Sequence, residues 1–435
     1  MDQKNFGYTP EDYKKFKSCG WRYLLLFSFL YCLHYCCRLN LSNASAVMME
    51  QMNWTKSDIG ILTSTLFWTY GFGHLINGRL SEIVGPHKFV VLAVLLSVAA
   101  NLLMSFQSSL IVMALIWGLN GYFQSMAWSP GIATLTSWWP GNTRGFATGF
   151  AHAFSGFGQV AATLTVAFAL SAFPDMGWRA AFVVPALFPL VMLIVFKLFA
   201  KPTPSSIGLQ EYVEADEQKA RSEQEMAQLV KSRGKLYPYK YVLSNKRFVI
   251  WMIVAFATGL ARYGLVTWVP LYFVDQFDVD VTAGLLQSLA LPVGMGIGTL
   301  VVPWLTDRFC PNNRLAAVVA AGLVGAVAVS VFFLLDPTNS VQLVLIELLL
   351  FVAGFCIYAI NGTAWAYATD IGGRVFSGTS AGVLDFAAYM GAAAQSLFYG
   401  FLLDNGGWNI VFISIAAFCV LVAVLGAGNS VKRKK

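Results

Sequence analysis

Charge is what this sequence has least of. Only 12% of its 435 residues are Asp, Glu, Lys or Arg, against about 25% in soluble proteins. In their place stand 57% hydrophobic residues and a mean hydropathy of +0.62. That balance excludes a soluble globular enzyme and leaves an integral membrane protein. A phosphate-binding Walker loop is missing, and so is any cluster with metal-ligand spacing. The glycines Gly145, Gly149, Gly156 and Gly158 follow no strand, so they read as helix packing rather than a dinucleotide loop. The seven cysteines lie within or beside apolar stretches, and none forms a loop pair that reads as a disulfide or a zinc site. No cofactor, no metal and no catalytic residue is expected. The net charge of +7 does not point to nucleic acid, because the basic residues fall between apolar segments. Met1 to Gly20 shows no cleavable signal, so the first apolar segment is expected to direct insertion.

What is abundant is long apolar sequence. A spanning helix needs about 20 mostly apolar residues. Twelve segments qualify, at 22–45, 57–79, 88–107, 109–136, 145–172, 180–200, 248–273, 282–305, 315–335, 341–366, 377–403 and 409–428. The expected fold class is therefore an all-α membrane protein of twelve transmembrane helices in two six-helix bundles. The first half covers 1–200, a polar linker covers 201–247, and the second half covers 248–435. Lys and Arg concentrate in alternate loops: Lys14, Lys15 and Lys17, then Arg79 and Lys88, Arg144, the linker, Arg308, Arg314 and Arg374, and the tail from Lys432. By the positive-inside rule both termini and the linker face the cytoplasm.

The two halves repeat each other. Gly78-Arg-Leu-Ser-Glu-Ile-Val-Gly-Pro-His-Lys88 answers Pro303-Trp-Leu-Thr-Asp-Arg-Phe-Cys-Pro-Asn-Asn-Arg314, which aligns Leu80 with Leu305 and Glu82 with Asp307. Gly177-Trp-Arg answers Gly407-Trp-Asn, and Arg144 answers Arg374. The offsets are 225 and 230 residues. Two arginines inside apolar segments, Arg38 and Arg262, stand 224 apart. An ionisable residue in a span costs roughly 2.5–3.5 kcal/mol on insertion scales. A matched pair therefore suggests one anion site shared by both halves, near the midplane where repeat-built transporters bind substrate. Against this stands the plainer reading that each arginine snorkels or meets a backbone carbonyl.

The doubled loop pattern Gly-x-Leu-x-Asp/Glu with a following basic residue resembles the loop motif of the major facilitator superfamily. Its members Glu82, Lys88, Asp307, Arg308 and Arg314 are expected to hold cytoplasmic helix ends together as gating loops. Gly121-Tyr-Phe-Gln-Ser-Met-Ala-Trp-Ser-Pro130, Ser137-Trp-Trp-Pro-Gly-Asn-Thr-Arg-Gly145, Arg262-Tyr-Gly with Trp268-x-Pro270, Gly354-Phe-Cys-Ile-Tyr358, Ser377-Gly-Thr-Ser-Ala-Gly382 and Pro202-Thr-Pro-Ser-Ser-Ile-Gly-Leu209 together resemble the organophosphate–inorganic phosphate antiporters. The resemblance runs over nearly the whole chain. It implies that Arg38 and Arg262 bind phosphate and that His152 in the fifth span belongs to the site. Two positions depart from that pattern. Leu39 and His74 stand where lysines are common in the family, and Asp385 adds an acid in the eleventh span.

Other residues complete the candidate site. His34 lies four before Arg38, so both are expected on one helical face, with His34, Tyr35 and Arg38 lining the cavity together. His34 and His74 could equally be packing histidines, and Trp128 reads as interfacial or packing. Tyr263 follows Arg262, and Asn361 lies in the tenth span. Asp385 would serve as counter-ion, proton carrier or acceptor for a substrate hydroxyl or amine. The expected function is a secondary transporter for a phosphorylated small metabolite of the sugar phosphate or glycerol phosphate type, exchanged for inorganic phosphate by rocker-switch alternating access. A proton-coupled organic-anion symporter and a transporter-like sugar-phosphate sensor remain open as alternatives. The expected setting is the lipid bilayer of a bacterial inner membrane, as a monomer without nucleic-acid partners.

Overall fold

Helix starts are set by local sequence. The Thr9 hydroxyl accepts from the Asp12 amide at 3.2 Å, with Pro10 at the first helical position. Thr55 and Asp58 form a reciprocal capping box, with bonds of 3.2 Å and 2.9 Å. Asp280 and Asn339 accept from the first-turn amides of the helices they precede. Each cap takes up donors that a helix cannot satisfy internally. The computed structural model describes residues 8–139, 141–210, 224–225, 228–234, 236–309 and 314–428, and all regular structure among them is helical. The side chains of Arg79, Glu82, Arg144, Asp307, Arg314 and Arg374 lie outside the described set.

Twelve spans cross the molecule. Among the described residues, ten helices are long and apolar enough to cross a membrane by length and composition, from Pro86–Ser105 to Trp408–Ala427. The first span and the second, Lys56–Val84, are not among the ten.

The first span is not the single helix expected over 22–45. Its α-helix runs Pro10–His34, then tightens to a 3-10 turn over Tyr35–Cys37. Arg38 leaves helical geometry at φ −124°, ψ −45°, and short helices Asn40–Asn43 and Ser45–Met52 follow. The fourth span is also broken, into Leu110–Ser125 and Trp128–Thr136, and the eighth into Val281–Gln287 and Ala290–Phe309. Spans ten and eleven lie in one helical run, Ser340–Asn405, of 66 residues. A straight helix of that length would reach about 100 Å. The run therefore reverses: Tyr358 and Tyr389 border the adjacent residues Arg262 and Tyr263, at 4.6 Å and 6.0 Å.

The halves meet along two pairs of spans. The second packs on the eleventh and the fifth (Gly141–Ala172) on the eighth, and the repeat exchanges these two pairs. Glycine makes both contacts close. A Cβ on Gly156 would come within 2.3 Å of the Gly296 Cα, and one on Gly60 within 2.3 Å of the Ser396 carbonyl oxygen.

One end of the molecule carries the N-terminal segment and the linker. There the Tyr8 hydroxyl donates to the Gln210 carbonyl, and Lys15 Nζ donates to Ile207 O at 2.9 Å. The opposite end is sealed between halves. Lys56 pairs with Asp275 at 3.0 Å, Trp408 Nε1 donates to the same carboxylate at 2.7 Å, and Asp404 caps the second span.

Candidate functional site

Arg262 stands midway along the seventh span, Lys246–Phe277, and Tyr70 midway along the second. Neither snorkelling nor an end-of-helix position explains Arg262, which is 8% exposed. Arg38, 4% exposed, is held in the break of the first span. Among the described residues no carboxylate lies within ion-pair distance of either guanidinium, and the Nε of each has no hydrogen-bond partner.

Tyrosine rings take the place of acids. The Arg38 guanidinium carbon lies 3.9 Å from the Tyr35 ring centre and 5.1 Å from that of Tyr70. That of Arg262 lies 4.7 Å from Tyr263 and 4.6 Å from Tyr358, whose hydroxyl also accepts from Arg262 Nη2. Ring negative faces attract cations by about 0.5–2 kcal/mol each. A further hydrogen bond ties the halves, from Gln159 Nε2 to the Tyr358 hydroxyl at 2.9 Å.

These contacts close into a circuit. From Arg38 it passes through Tyr70 to Tyr389 (4.2 Å), Tyr263 (6.0 Å) and Arg262. It returns through Tyr358, His152 (6.4 Å), Trp128 (5.4 Å), Tyr31 (4.8 Å) and Tyr35 (5.6 Å) to Arg38. Seven spans contribute to it: the first, second, fourth and fifth from one half, the seventh from the other, and both arms of the Ser340–Asn405 run. Tyr35 lies within electrostatic reach of both arginines. The circuit offers two fixed positive charges, phenol hydroxyls and the His152 imidazole, with the His74 imidazole stacked beside it, a lining suited to an anion with further polar groups.

The candidates from sequence divide accordingly. Arg38, Arg262, Tyr35, Tyr263 and His152 stand in the circuit. His74 stacks on Tyr389 at 5.7 Å beside Tyr70 at 4.7 Å, with its Nε2 buried and unpartnered among the described residues. Asp385 is half-buried one helical turn before Tyr389 and is engaged with another group. Asn361 is half-buried one turn after Tyr358. His34 corrects an expectation. The helix ends at His34, so it does not share a regular helical face with Arg38; it is buried, and its carbonyl accepts from Gln124. Of the gating candidates, Lys88 and Arg308 are exposed at helix ends, and Arg308 makes an interaction of its own. The side chains of Glu82, Asp307 and Arg314 fall outside the described residues.

The sequence alone does not single out Tyr31, Tyr70, Tyr358 and Tyr389, and Trp128 reads from it as interfacial or packing. An aromatic in an apolar span looks the same whether it faces lipid, core or ligand. The available signal was Tyr358 lying inside a family-like segment and Tyr70 lying one turn before His74, a position that departs from the family pattern.

The comparisons with known proteins agree with this architecture. A "Probable hexose phosphate transport protein" of Chlamydia pneumoniae is 27% identical over 427 residues, covering 95% of this chain and 91% of that one. The "Glycerol-3-phosphate transporter" of Bacillus subtilis is 28% identical, covering 91% and 88%. Among solved structures, a D-xylose-proton symporter superposes with a TM-score of 0.73 over 95% of this chain and 98% of that one, at 14% identity, which speaks to the fold alone. Residues 27–396 match the family described as Major Facilitator Superfamily. With that match over most of its length, and with twelve spans in two bundles, the chain belongs to the Major Facilitator Superfamily of membrane transporters.

Proposed function

We propose that this transporter moves a phosphorylated small metabolite, of the sugar phosphate or glycerol phosphate type, in exchange for inorganic phosphate. The observation that carries the reading is the pair of buried arginines without a carboxylate partner among the described residues, one from each half, joined by a single aromatic circuit. Cation–π contacts of about 0.5–2 kcal/mol do not offset the burial of two full charges. A phosphate group does, because its oxygens accept guanidinium donors in pairs.

Exchange follows from the same electrostatics. Bringing two cations together in a drier space is unfavourable, since Coulomb repulsion grows as the dielectric falls. A bound anion removes that penalty and lets the halves rock about the site. The seal at Lys56, Asp275 and Asp404 then opens while the opposite end closes. Glu82, Lys88, Asp307, Arg308 and Arg314 gate that opposite end. In this reading the side of the termini, where Lys and Arg gather, is cytoplasmic, and the bacterial origin of the relatives supports an inner-membrane location.

The test is counterflow in proteoliposomes. Vesicles loaded with labelled phosphate are diluted into unlabelled phosphate or one of a panel of phosphate esters. Release that depends on an external phosphate compound is expected. Absence of exchange with every compound, at verified insertion, overturns the antiport reading. Binding without flux would identify a sensor, and flux driven by a proton gradient would identify a symporter.

A further inference from the structure

The break that presents Arg38 is held by side chains that do not belong to the arginine circuit. In a continuous helix the Cys37 carbonyl would accept from the amide four residues on. Here the chain has left helical geometry, and Cys37 O accepts instead from Asn120 Nδ2 at 2.8 Å and Asn101 Nδ2 at 3.0 Å. One residue type serves three spans: Asn40, just past the break, donates to Asn101 Oδ1 at 2.8 Å and to Ala181 O at 3.0 Å. Gln124, one turn beyond Asn120, donates to the His34 carbonyl at 3.2 Å, on the other side of the 3-10 turn. All four amide side chains are buried, at 0–2% exposure.

Such a group has a physical reason to exist. An unpaired backbone carbonyl inside a membrane protein costs several kcal/mol, so irregular backbone at that depth survives only where partners satisfy it. The carbonyls of His34 and Cys37 flank the turn that ends at Arg38. Fixing them fixes the backbone direction from which the arginine leaves. The same turn carries Tyr35, whose ring lies 3.9 Å from the Arg38 guanidinium. Span five supports it from the other side: a Cβ on Gly158 would stand 2.7 Å from Cys32 O and 2.9 Å from the Tyr35 ring.

We propose that Asn120, Asn101 and Gln124 are positioning residues for substrate: a clamp of amides from the third and fourth spans that holds the first span open at Arg38 in the geometry its anion requires. None of the three needs to touch the ligand. Asn120 and Gln124 act through the backbone on Arg38 and Tyr35, so their loss is read as weaker binding of the phosphate group rather than as loss of a ligand contact. This inference rests on the reading of Arg38 as an anion-binding residue.

The experiment compares Asn120→Leu and Gln124→Met, which keep side-chain volume and remove the donors, with Gln395→Leu and Arg38→Lys. Gln395 is an equally buried amide in the other half, where it accepts from Trp268. Exchange of inorganic phosphate is measured in proteoliposomes as KM and as Vmax per folded transporter. Misplacing a binding group by a fraction of an ångström to 1 Å costs up to about a hundredfold. KM for phosphate is expected to rise on the order of tenfold in both clamp variants, with Vmax per folded protein changing far less. Gln395→Leu should lower yield with KM unchanged. If both clamp variants keep the normal KM, the amides are structural and the proposal is overturned. If one variant does not insert, the other decides. If Arg38→Lys itself leaves KM and Vmax normal, it is the anion-site reading that fails, and the two failures are thereby told apart.

Discussion

Asp404 caps Ser57 across the molecule. Its Oδ2 accepts from the Ser57 amide at 2.9 Å and from the Ser57 hydroxyl, and its Oδ1 accepts from the Lys56 amide at 3.1 Å. The acid ends the eleventh span, and the amides open the second. A helix of one half therefore has its first turn completed by the other half, on top of its own capping box from Thr55 and Asp58. A negative side chain at a helix N-terminus is favoured by both the free amides and the helix dipole.

The cross-half cap predicts a shift in conformation. Removing an N-cap costs about 1 kcal/mol, which is about fivefold in a two-state equilibrium. Asp404→Ala should therefore raise the population open at the sealed end by about that factor. The measurement is distance distributions between spin labels placed on the second and eleventh spans near that end. Identical distributions in both proteins would show that the cap is incidental to closure.

Arg38→Lys and Arg262→Lys should each abolish or severely reduce phosphate exchange while leaving insertion intact. Lysine keeps the charge and loses the planar fork that meets phosphate oxygens in pairs. It also gives up most of the stacking on Tyr35 and Tyr70, or on Tyr263 and Tyr358. Uptake of labelled phosphate at matched membrane levels checks both variants, and near-normal uptake by either would remove the shared-site hypothesis.

Tyr358→Phe separates the hydroxyl from the ring. The ring over Arg262 is retained, while the bonds to Arg262 Nη2 and Gln159 Nε2 are lost. A hydrogen bond to a charged group contributes about 1.5–3 kcal/mol, so apparent affinity for phosphate should fall by about tenfold or more. Tyr358→Ala should do worse, because the cation–π contact goes as well. Equal KM values in wild type and Tyr358→Phe would show that the hydroxyl does not help hold Arg262 for the anion.

Asp385→Asn should change substrate ranking or pH dependence more than it changes folding. The acid lies one turn from Tyr389, which closes the circuit between Tyr70 and Tyr263. Uptake of phosphate and a set of phosphate esters by both proteins is compared between about pH 5.5 and 8. Identical rankings and identical profiles would mark Asp385 as a structural partner only. The cysteines beside Arg38 are poor reporters for this work: Cys36 and Cys37 are fully buried, and Cys36 Sγ accepts from Thr165.

Composition and periodicity by themselves determined the membrane class, the spans, the repeat and the arginine pair. Each of these rests on local hydrophobicity or on self-similarity along the chain, and a charge inside an apolar run is conspicuous without any structure. The break at Arg38 was hidden, because nothing in Tyr31 to Asn40 forbids a helix. It exists because Asn101, Asn120 and Gln124 satisfy carbonyls tens of residues away in sequence. Only the tertiary structure decided that Tyr70, Tyr263, Tyr358 and Tyr389 face the arginines rather than lipid, since a tyrosine's hydropathy is the same on either side of a helix. The seal was equally out of reach: Asp404 and Ser57 are distant in the chain, and only packing of the second span on the eleventh, glycine against backbone at Gly60, brings the carboxylate onto the amides.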